Sequence, residues 1–184
     1  MPSNTAGRVR IIGGRHRGRI VRFPAAPGLR PTPDRVRETL FNWLGQDLTG
    51  RRTLDLYAGS GALSLEALSR GATVAVAVDR NVALVRALAA TALEFREAGL
   101  EAHVADAPAF LRRETRTFDA IFLDPPFELD VWDTLLPACV PRLSDGGVIY
   151  AEAPRALDPP APLIARRSER AGHVHYHLLE VARA

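Results

Sequence analysis

Residues 53–61 read TLDLYAGSG, and this stretch decides the fold. Its first half predicts a short strand, and the helix-forming residues 62–68 (ALSLEAL) follow directly. Gly59 and Gly61 let the backbone of the turn come close to a ligand at the helix N-terminus, where free N–H groups gather. Strand, glycine turn and helix together predict the first unit of a nucleotide-binding α/β fold. Ser64 stands where the dinucleotide fingerprint has its third glycine, which disfavours a pyrophosphate ligand.

A second strand is predicted at residues 73–79 (TVAVAVD), and it ends in Asp79. In nucleotide-binding α/β folds, an acid at this distance from the glycine turn holds ribose hydroxyls. An isolated acid after a strand is more often an ordinary loop residue, but Asp79 occupies the position that the fold predicts.

The rest of the chain alternates predicted strands and helices. Strands are expected at residues 101–105, 118–123, 148–151, 163–167 and 174–181, and helices at 81–99, which Gly99 ends, and at 129–142. Alternation of this kind predicts a doubly wound α/β fold with a mostly parallel sheet. Ligands of such sheets bind at the carboxyl ends of the strands.

Residues 124–127 (DPPF) close the apolar strand at residues 120–123 and carry the strongest indication of function. Proline has a fixed φ and no N–H, so Pro125 and Pro126 stiffen the turn and leave carbonyl oxygens free to accept hydrogen bonds. Asp124 adds an acceptor, and Phe127 offers a flat face on which a planar ring can stack. Acceptors beside a stacking face suit the exocyclic amino group of a nucleobase. The alternative is a strand followed by an ordinary proline-rich turn.

Basic residues crowd into the first part of the chain without an intervening acid: Arg8, Arg10, Arg15, His16, Arg17, Arg19 and Arg22. Two β-prone pieces around Gly13-Gly14 predict a hairpin or small ribbon over residues 9–23. Arginine pairs bidentately with phosphate and stacks on bases, so a basic ribbon suits structured RNA. The alternative is a disordered basic tail, against which several bulky residues argue: Ile11, Ile12, Ile20, Val21 and Phe23.

A proline-rich connector, residues 24–33, joins the ribbon to the nucleotide-binding unit. Thr32 is predicted to cap the helix that follows, with Pro33 as the first helical residue. The apolar face of this helix consists of Val36, Leu40, Trp43 and Leu44, and a polar face consists of Arg35, Glu38 and Asn42.

These segments together resemble the RsmD family of small-subunit (16S) ribosomal RNA guanine-N2 methyltransferases, which are class I enzymes that depend on S-adenosylmethionine. The resemblance covers nearly the whole chain and is carried by residues 10–15 (RIIGGR), 17–19 (RGR), 27–32 (PGLRPT), 34–44 (DRVRETLFNWL), 55–63 (DLYAGSGAL) and 122–127 (FLDPPF). The DPPF box alone is shared by many amino-methylating enzymes on DNA, RNA and protein. The arginine-rich start and the Arg30-Pro31-Thr32 segment make the resemblance much narrower.

The resemblance implies a seven-stranded Rossmann-like methyltransferase sheet in residues 32–184, with one antiparallel strand among the last two. Residues 1–31 then form the basic β-ribbon and connector. The implied cofactor is S-adenosylmethionine, and the residues implied to bind it are Thr32, Asp55, Tyr57, Ala58, Gly59, Gly61, Asp79, Arg80 and Asp106. Among these, Asp55 is expected to position the cofactor's amino group, Asp79 the ribose and Asp106 the adenine.

The implied catalytic residues are Asp124, Pro125, Pro126 and Phe127. A guanine splayed from its stack would enter the slot that they form, and its amine would donate hydrogen bonds to Asp124 and the Pro125 carbonyl. Arg30 joins the basic residues of the ribbon in the implied RNA surface. The expected partner is small-subunit ribosomal RNA or the assembling small subunit, bound by a monomer.

Composition and length agree with this interpretation. The 184 residues are most simply one domain with a sizeable core, and no apolar run reaches membrane-spanning length. The N-terminus lacks an apolar secretory core, and a single cysteine, Cys139, excludes an internal disulfide, so we expect a cytoplasmic protein. The formal net charge is only +3, so the clustering of arginines is more informative than their total.

Three other functions stay open. A DNA or protein amino-methyltransferase would also use a DPPF box. A dehydrogenase would use the same glycine turn, but the third glycine is missing. A non-catalytic RNA-binding module on this scaffold would be expected to have a damaged glycine turn or slot, and both are intact.

The alternating histidines His173, His175 and His177 could suggest a zinc site. No cysteine or third-ligand motif accompanies them, and Val174 and Tyr176 already supply an apolar face. We therefore expect a polar outer strand face here, and no metal.

Overall fold

The computed structural model describes residues 6–29 and 31–183. Its strands are β1 (Gly7–Arg10), β2 (Ile20–Phe23), β3 (Arg52–Asp55), β4 (Val74–Asp79), β5 (Leu100–Val104), β6 (Phe118–Leu123), β7 (Leu143–Ala153), β8 (Leu163–Ala171) and β9 (Val174–Val181). Its α-helices are α1 (Asp34–Trp43), α2 (Ala62–Ser69), α3 (Val82–Phe95), α4 (Ala107–Arg113) and α5 (Trp132–Cys139), and short 3-10 helices lie at Gly14–His16 and Val140–Arg142.

Strands β3 to β9 form a seven-stranded sheet in the order β5-β4-β3-β6-β7-β9-β8. Strands β3 to β7 are parallel to one another, and β9 runs antiparallel to both β7 and β8. The predicted doubly wound, mostly parallel sheet is thereby confirmed. Strand order reverses between β3 and β6, so their carboxyl ends frame the crevice in which such sheets bind ligands.

The predicted N-terminal ribbon is confirmed as a separate antiparallel pair, β1 with β2. One of its faces carries Val9, Val21 and Phe23, which are all buried. These side chains share a hydrophobic cluster with Leu65 of α2 and Leu88 of α3. The ribbon therefore contributes to the same core as the helices that cover the sheet.

Predicted boundaries of three helices are wrong. α1 begins at Asp34, and the Thr32 side chain does not cap it. α3 ends at Phe95, and it is Arg96 after it, not Gly99, that adopts the left-handed conformation, with φ 58°. Gly99 is needed for close packing instead, because a Cβ there would lie 2.4 Å from the Thr73 carbonyl oxygen. The predicted helix at 129–142 begins only at residue 132, and a 3-10 turn replaces its end.

Sequence analysis also missed one helix and predicted two strands shorter than the structure has them. α4 is only 7 residues long and has a proline in its first turn, so it lacks a clear helical periodicity. β7 and β8 both extend beyond their predicted ranges, while β5 begins one residue earlier than expected.

His177 is buried, contrary to the predicted polar outer face. Its Nδ1 lies 2.8 Å from the Ser168 hydroxyl, and its Nε2 accepts a hydrogen bond from the Leu157 N–H (3.3 Å). Burial also lowers the pKa of this histidine, which favours the neutral ring. His177 therefore ties the Leu157 loop to the end of the sheet.

Cys139 is buried at the end of α5, and burial raises the pKa of its thiol to about 12. Such a thiol is protonated at neutral pH and packs as a small apolar group. Among the described residues, no helix combines the length and apolarity that crossing a membrane requires.

A buried carboxylate holds the ribbon to the rest of the protein. Glu66 of α2 has no exposed surface, and its oxygens accept hydrogen bonds from the backbone N–H groups of Ile12 (2.9 Å) and Gly13 (2.7 Å). The same carboxylate pairs with Arg37 (3.3 Å) and Arg70 (3.0 Å). A buried charge is tolerated when it is paired and hydrogen-bonded, so these donors explain an acid in the core.

Arg37 extends this network to the connector. Its guanidinium is fully buried and donates to the Arg10 carbonyl in β1 (2.8 Å) and to the Thr32 carbonyl (3.2 Å). It also pairs with Asp34 in the first turn of α1. Arg37 and Glu66 therefore tie the ribbon, the connector, α1 and α2 into one unit.

Replacing Glu66 with glutamine should lower the free energy of unfolding by about 3–5 kcal/mol, because the buried guanidinium of Arg37 would keep only the exposed Asp34 as a counter-charge. Glu94→Gln is the matched control, since Glu94 is exposed and pairs with Arg19 at the surface. Its loss should stay below about 1 kcal/mol. Urea unfolding followed by circular dichroism measures both variants, and equal losses would contradict the structural role of Glu66.

Candidate active site at the carboxyl edge of the sheet

A cleft of about 910 Å³ opens at the carboxyl ends of β3, β4, β6 and β7. Most of the predicted cofactor-binding and catalytic residues line it: Thr32, Asp55, Tyr57, Ala58, Gly59, Asp79, Arg80, Asp124, Pro125, Pro126 and Phe127. Gly61 and Asp106 are not among the lining residues. Glu152 of β7 and Val174 of β9 line it in addition, and sequence analysis missed both.

The two glycines of the turn have different functions. Gly59 (φ 52°) lines the cleft and donates its backbone N–H to Oδ2 of Asp79 (2.8 Å). Gly61 (φ 76°) permits helix packing, because a Cβ there would lie 2.3 Å from Leu88 of α3. The turn therefore brings backbone to the cleft at Gly59 and brings α2 close to α3 at Gly61.

Asp79 is fixed by the turn that it faces. In addition to the bond from Gly59, its Oδ1 accepts a hydrogen bond from the Asn81 N–H (2.8 Å). A carboxylate can accept about four hydrogen bonds, so Asp79 keeps capacity toward the cleft. The geometry leaves Asp79 able to accept hydrogen bonds from ribose hydroxyls, and that contact stays a prediction.

Asp106 has a local function that the sequence did not reveal. Its carboxylate accepts a hydrogen bond from the Ala109 N–H (3.3 Å) and thereby caps α4, the helix that was not predicted. Its side chain is exposed, whereas its neighbours Ala105 and Ala107 line the cleft. The contact between Asp106 and an adenine stays a prediction.

Three acids lie on adjacent strands at this edge. Asp55 is the last residue of β3, and β3 pairs with β6. On the other side of β6, Leu123 pairs with Ala151 of β7. Asp124 and Glu152 are the next residues along β6 and β7, so the register places them side by side. Alternation along the strands then puts all three carboxyl groups on the face of the sheet that α1 and α2 cover.

A signal for Glu152 was present in the sequence. Glu152 follows the apolar run at 148–151 in the way that Asp124 follows the run at 120–123. Because the carboxyl ends of parallel strands meet at one edge, an acid directly after either run is expected to reach the ligand crevice.

Burial raises the pKa values of the three acids. The pKa of Asp55 rises to about 7, opposed by a hydrogen bond that Ser64 donates (2.9 Å) and reinforced by Asp79 and Glu152. Burial, Glu152 and Asp55 raise the pKa of Asp124 well above its usual range. Burial likewise raises the pKa of Glu152. A cationic group bound in the cleft would stabilise the ionised carboxylates, so the site favours a positively charged ligand.

The DPPF turn forms one wall of the cleft. Pro125 is buried, while Phe127 keeps 43% of its surface exposed at the mouth. The Pro126 carbonyl accepts a hydrogen bond from the Leu129 N–H (2.9 Å), which fixes the turn and occupies one of the two lone pairs of that carbonyl. Asp124 and Phe127 thus present an acceptor and an exposed ring to the same cleft.

Three of the basic residues predicted to bind RNA have partners within the protein. Arg15 donates to Glu97 through its Nε (2.8 Å), and Nε2 of His16 lies 2.6 Å from the same carboxylate. The guanidinium of Arg19 stacks 3.7 Å from the ring centre of Phe95. These contacts attach the ribbon to the end of α3, a stabilising function that the sequence did not reveal.

The outer face of the ribbon carries exposed arginines. Arg8 and Arg22 stand directly opposite each other across β1 and β2, and Arg10 is exposed on the same face. Within residues 6–29 and 31–183, none of the three pairs with a carboxylate. Directly opposed like charges destabilise a strand pair, so this face suits a polyanion. Arg17 is also exposed, and Arg30 lies outside the described residues.

Known proteins of similar sequence and structure support an RNA-modifying family. The chain is 37% identical over 180 residues to ribosomal RNA small subunit methyltransferase D of Escherichia coli strain K12, covering 95% of this chain and 91% of the relative. The solved structure of yhhF from Escherichia coli superimposes with a TM-score of 0.85 at 37% identity, covering 95% of this chain and 98% of that one.

A more distant structure shares the fold alone. It is the structure of SMU.776, a putative methyltransferase complexed with SAH, and it is 16% identical in sequence to this chain. The two superimpose with a TM-score of 0.72, covering 98% of this chain and 57% of that one. The family model described as Conserved hypothetical protein 95 matches residues 9–180, which is nearly the whole chain. With that match and the 37% identical relative, the chain belongs to this family, the RsmD family.

Proposed function

We propose that this protein transfers a methyl group from S-adenosylmethionine to the exocyclic N2 amine of a guanine in 16S ribosomal RNA. One observation carries the proposal: the Asp124–Phe127 slot opens into the same cleft as the glycine turn and Asp79. A methyl donor at the turn and an amine in the slot would therefore meet within one cavity. The names of the relatives support the choice of small-subunit ribosomal RNA as the substrate.

The described residues fit the cofactor. The cleft has the size of small-molecule sites, which occupy about 300–1,000 Å³. Gly59 brings backbone to the cleft, Asp79 keeps acceptor capacity for ribose hydroxyls, and Asp55 suits the ammonium group of the methionine end. When bound, S-adenosylmethionine supplies an electrophilic methyl carbon attached to a positively charged sulfur.

The slot acts on the amine. A guanine amine is a poor nucleophile because its lone pair is delocalised into the ring. Hydrogen bonds from the amine to Asp124 and the Pro125 carbonyl favour a pyramidal nitrogen whose lone pair points at the methyl carbon. Phe127 holds the base by stacking. Catalysis then rests on positioning and preorganisation, without a covalent enzyme intermediate.

Asp124 also receives the proton. The transfer forms a nitrogen–carbon bond, breaks a sulfur–carbon bond and leaves one excess proton on the amine nitrogen. Asp124 is proposed to contact that amine, and burial with its acidic neighbours raises its pKa well above the usual range. A carboxylate with a raised pKa is the better proton acceptor.

Asp124→Ala should slow methyl transfer in a single turnover by a factor of about 10² or more, because it removes an acceptor needed as the nitrogen becomes nucleophilic. Cofactor affinity should survive, since Asp124 is proposed to face the base. Single-turnover methylation, cofactor calorimetry and melting curves on the same samples measure the three properties. A stable variant with a near-normal rate would end the catalytic assignment.

Asp124→Asn separates the two functions assigned to this residue. Asparagine keeps a carbonyl acceptor but cannot take a proton at neutral pH. If proton transfer matters, the asparagine variant should be nearly as slow as the alanine variant. A rate close to wild type would show that Asp124 acts as a hydrogen-bond acceptor and does not take the proton.

Cofactor affinity should increase as the pH rises toward about 7 and then level off. Asp55, with its pKa raised to about 7 by burial, is protonated below this pH and ionised above it. Only the ionised form attracts an ammonium group, so binding below pH 7 must release a proton. Calorimetry from about pH 6 to about pH 8, in buffers of different ionisation enthalpy, measures affinity and proton release. A flat profile would contradict the role of Asp55.

Replacing Arg8, Arg10 and Arg22 together with alanine should weaken RNA binding. The logarithm of the affinity should also fall less steeply with the logarithm of salt concentration, by about 0.7–0.9 for each phosphate that the variant no longer neutralises. Fluorescence anisotropy with 16S ribosomal RNA over a salt series measures both quantities. Cofactor affinity and melting temperature should stay near wild type.

The matched control carries alanine at Arg51, Arg112 and Arg113. These arginines are exposed, before β3 and at the end of α4, and none of them lines the cleft. The control removes the same charge, so it corrects for the general loss of positive charge. Equal salt slopes in the two triple variants would place the RNA surface elsewhere.

A further inference from the structure

The proposed mechanism leaves one buried acid of the cleft without a function. Glu152 lines the cleft with only 4% of its surface exposed, and the proposed roles of Asp55, Asp79 and Asp124 do not involve it. Burying a carboxyl group is costly, and an apolar residue would serve a purely structural core better. A carboxyl group kept at this position therefore points to a ligand contact.

The position of Glu152 in the sheet indicates which ligand it contacts. The glycine turn and Asp79 follow β3 and β4, whereas β7 lies on the other side of β6 in the strand order. Asp124 directly follows β6, so it stands between the cofactor side and Glu152. Glu152 therefore lies on the side of the target base.

One hydroxyl group holds the Glu152 side chain in place. The Tyr150 hydroxyl donates to its Oε1 (2.8 Å), and Thr32 lines the same cleft. Thr32 is in turn fixed through its carbonyl by Arg37 (3.2 Å). A carboxyl group has about four acceptor sites, so one hydroxyl donor leaves capacity for a ligand donor.

We propose that Glu152 accepts a hydrogen bond from N1–H of the target guanine while Asp124 holds the N2 amine, so that the pair of acids selects guanine. The inference rests on the proposed function and names the residue that determines its base specificity. Guanine presents two adjacent donors, N1–H and the N2 amine, on its Watson–Crick edge. Adenine presents an acceptor at N1, which would face the Glu152 oxygen without a proton between them. Buried acceptors left unpaired make such a mismatch costly.

The test uses 2-aminopurine, which keeps the 2-amino group but has an acceptor at N1. Small ribosomal subunits are assembled with 16S RNA that carries either guanine or 2-aminopurine at the methylated position. Wild-type protein should prefer guanine by a factor on the order of 10² in single-turnover methylation. In Glu152→Gln the amide can donate to N1 of 2-aminopurine, so this preference should collapse or reverse.

Binding is measured in the same experiment without methyl transfer. In the presence of the demethylated cofactor, 2-aminopurine fluorescence reports entry of the base into the slot. Glu152→Gln should increase this signal relative to wild type, while cofactor affinity stays unchanged. The control is Asp145→Asn, which removes an exposed acid from the amino end of the same strand and should leave the preference intact.

The outcomes separate this inference from the proposed function. If wild-type protein methylates no guanine N2, the proposed function fails. If it does methylate guanine N2, and Glu152→Gln lowers the methylation rates of guanine and 2-aminopurine by the same factor, Glu152 is structural and the inference is wrong. Should Glu152→Gln not fold, Tyr150→Phe removes only the hydroxyl that orients Glu152, and it should lower the guanine preference by about 10-fold. An unchanged preference in Tyr150→Phe would then contradict the inference.

Discussion

The attachment of the ribbon and the connector to α1 and α2 depends on one buried carboxylate. Glu66 accepts backbone hydrogen bonds from Ile12 and Gly13 of the ribbon and pairs with Arg37 and Arg70. Through Arg37 the same network fixes the Thr32 carbonyl at the wall of the cleft. A change at Glu66 is therefore expected to disturb the ribbon and the active site together, although Glu66 itself lies outside the cleft lining.

A second constraint operates at the carboxyl edge of the sheet. Asp55, Asp124 and Glu152 share one face, and their mutual proximity and burial raise their pKa values. A cationic methyl donor would relieve this repulsion and leave ionised acceptors for the amine of the base. Cofactor binding would thereby prepare the slot for the base, which links the two halves of the proposed reaction.

Local patterns in the sequence were sufficient for the sheet, the glycine turn and the DPPF slot. They failed where the physical cause is a distant partner. Nothing near Arg37 indicates that its buried guanidinium meets Glu66, which is 29 residues away. The arginines of the ribbon looked alike in sequence, yet Arg15 is bound to Glu97 while Arg8 faces outward. Glu152 was missed because residues 148–151 were interpreted only as a buried strand, and the acid that follows them was not considered as a ligand contact.

The central claim is methylation of guanine N2 in small-subunit ribosomal RNA. The most direct measurement incubates the protein with labelled S-adenosylmethionine and small ribosomal subunits that lack native modification. Nuclease digestion and mass spectrometry then identify the labelled nucleoside and its position. The account predicts label in N2-methylguanosine at a single site of 16S RNA. Label in a methylated adenine, in a ribosomal protein or only in added DNA would contradict it.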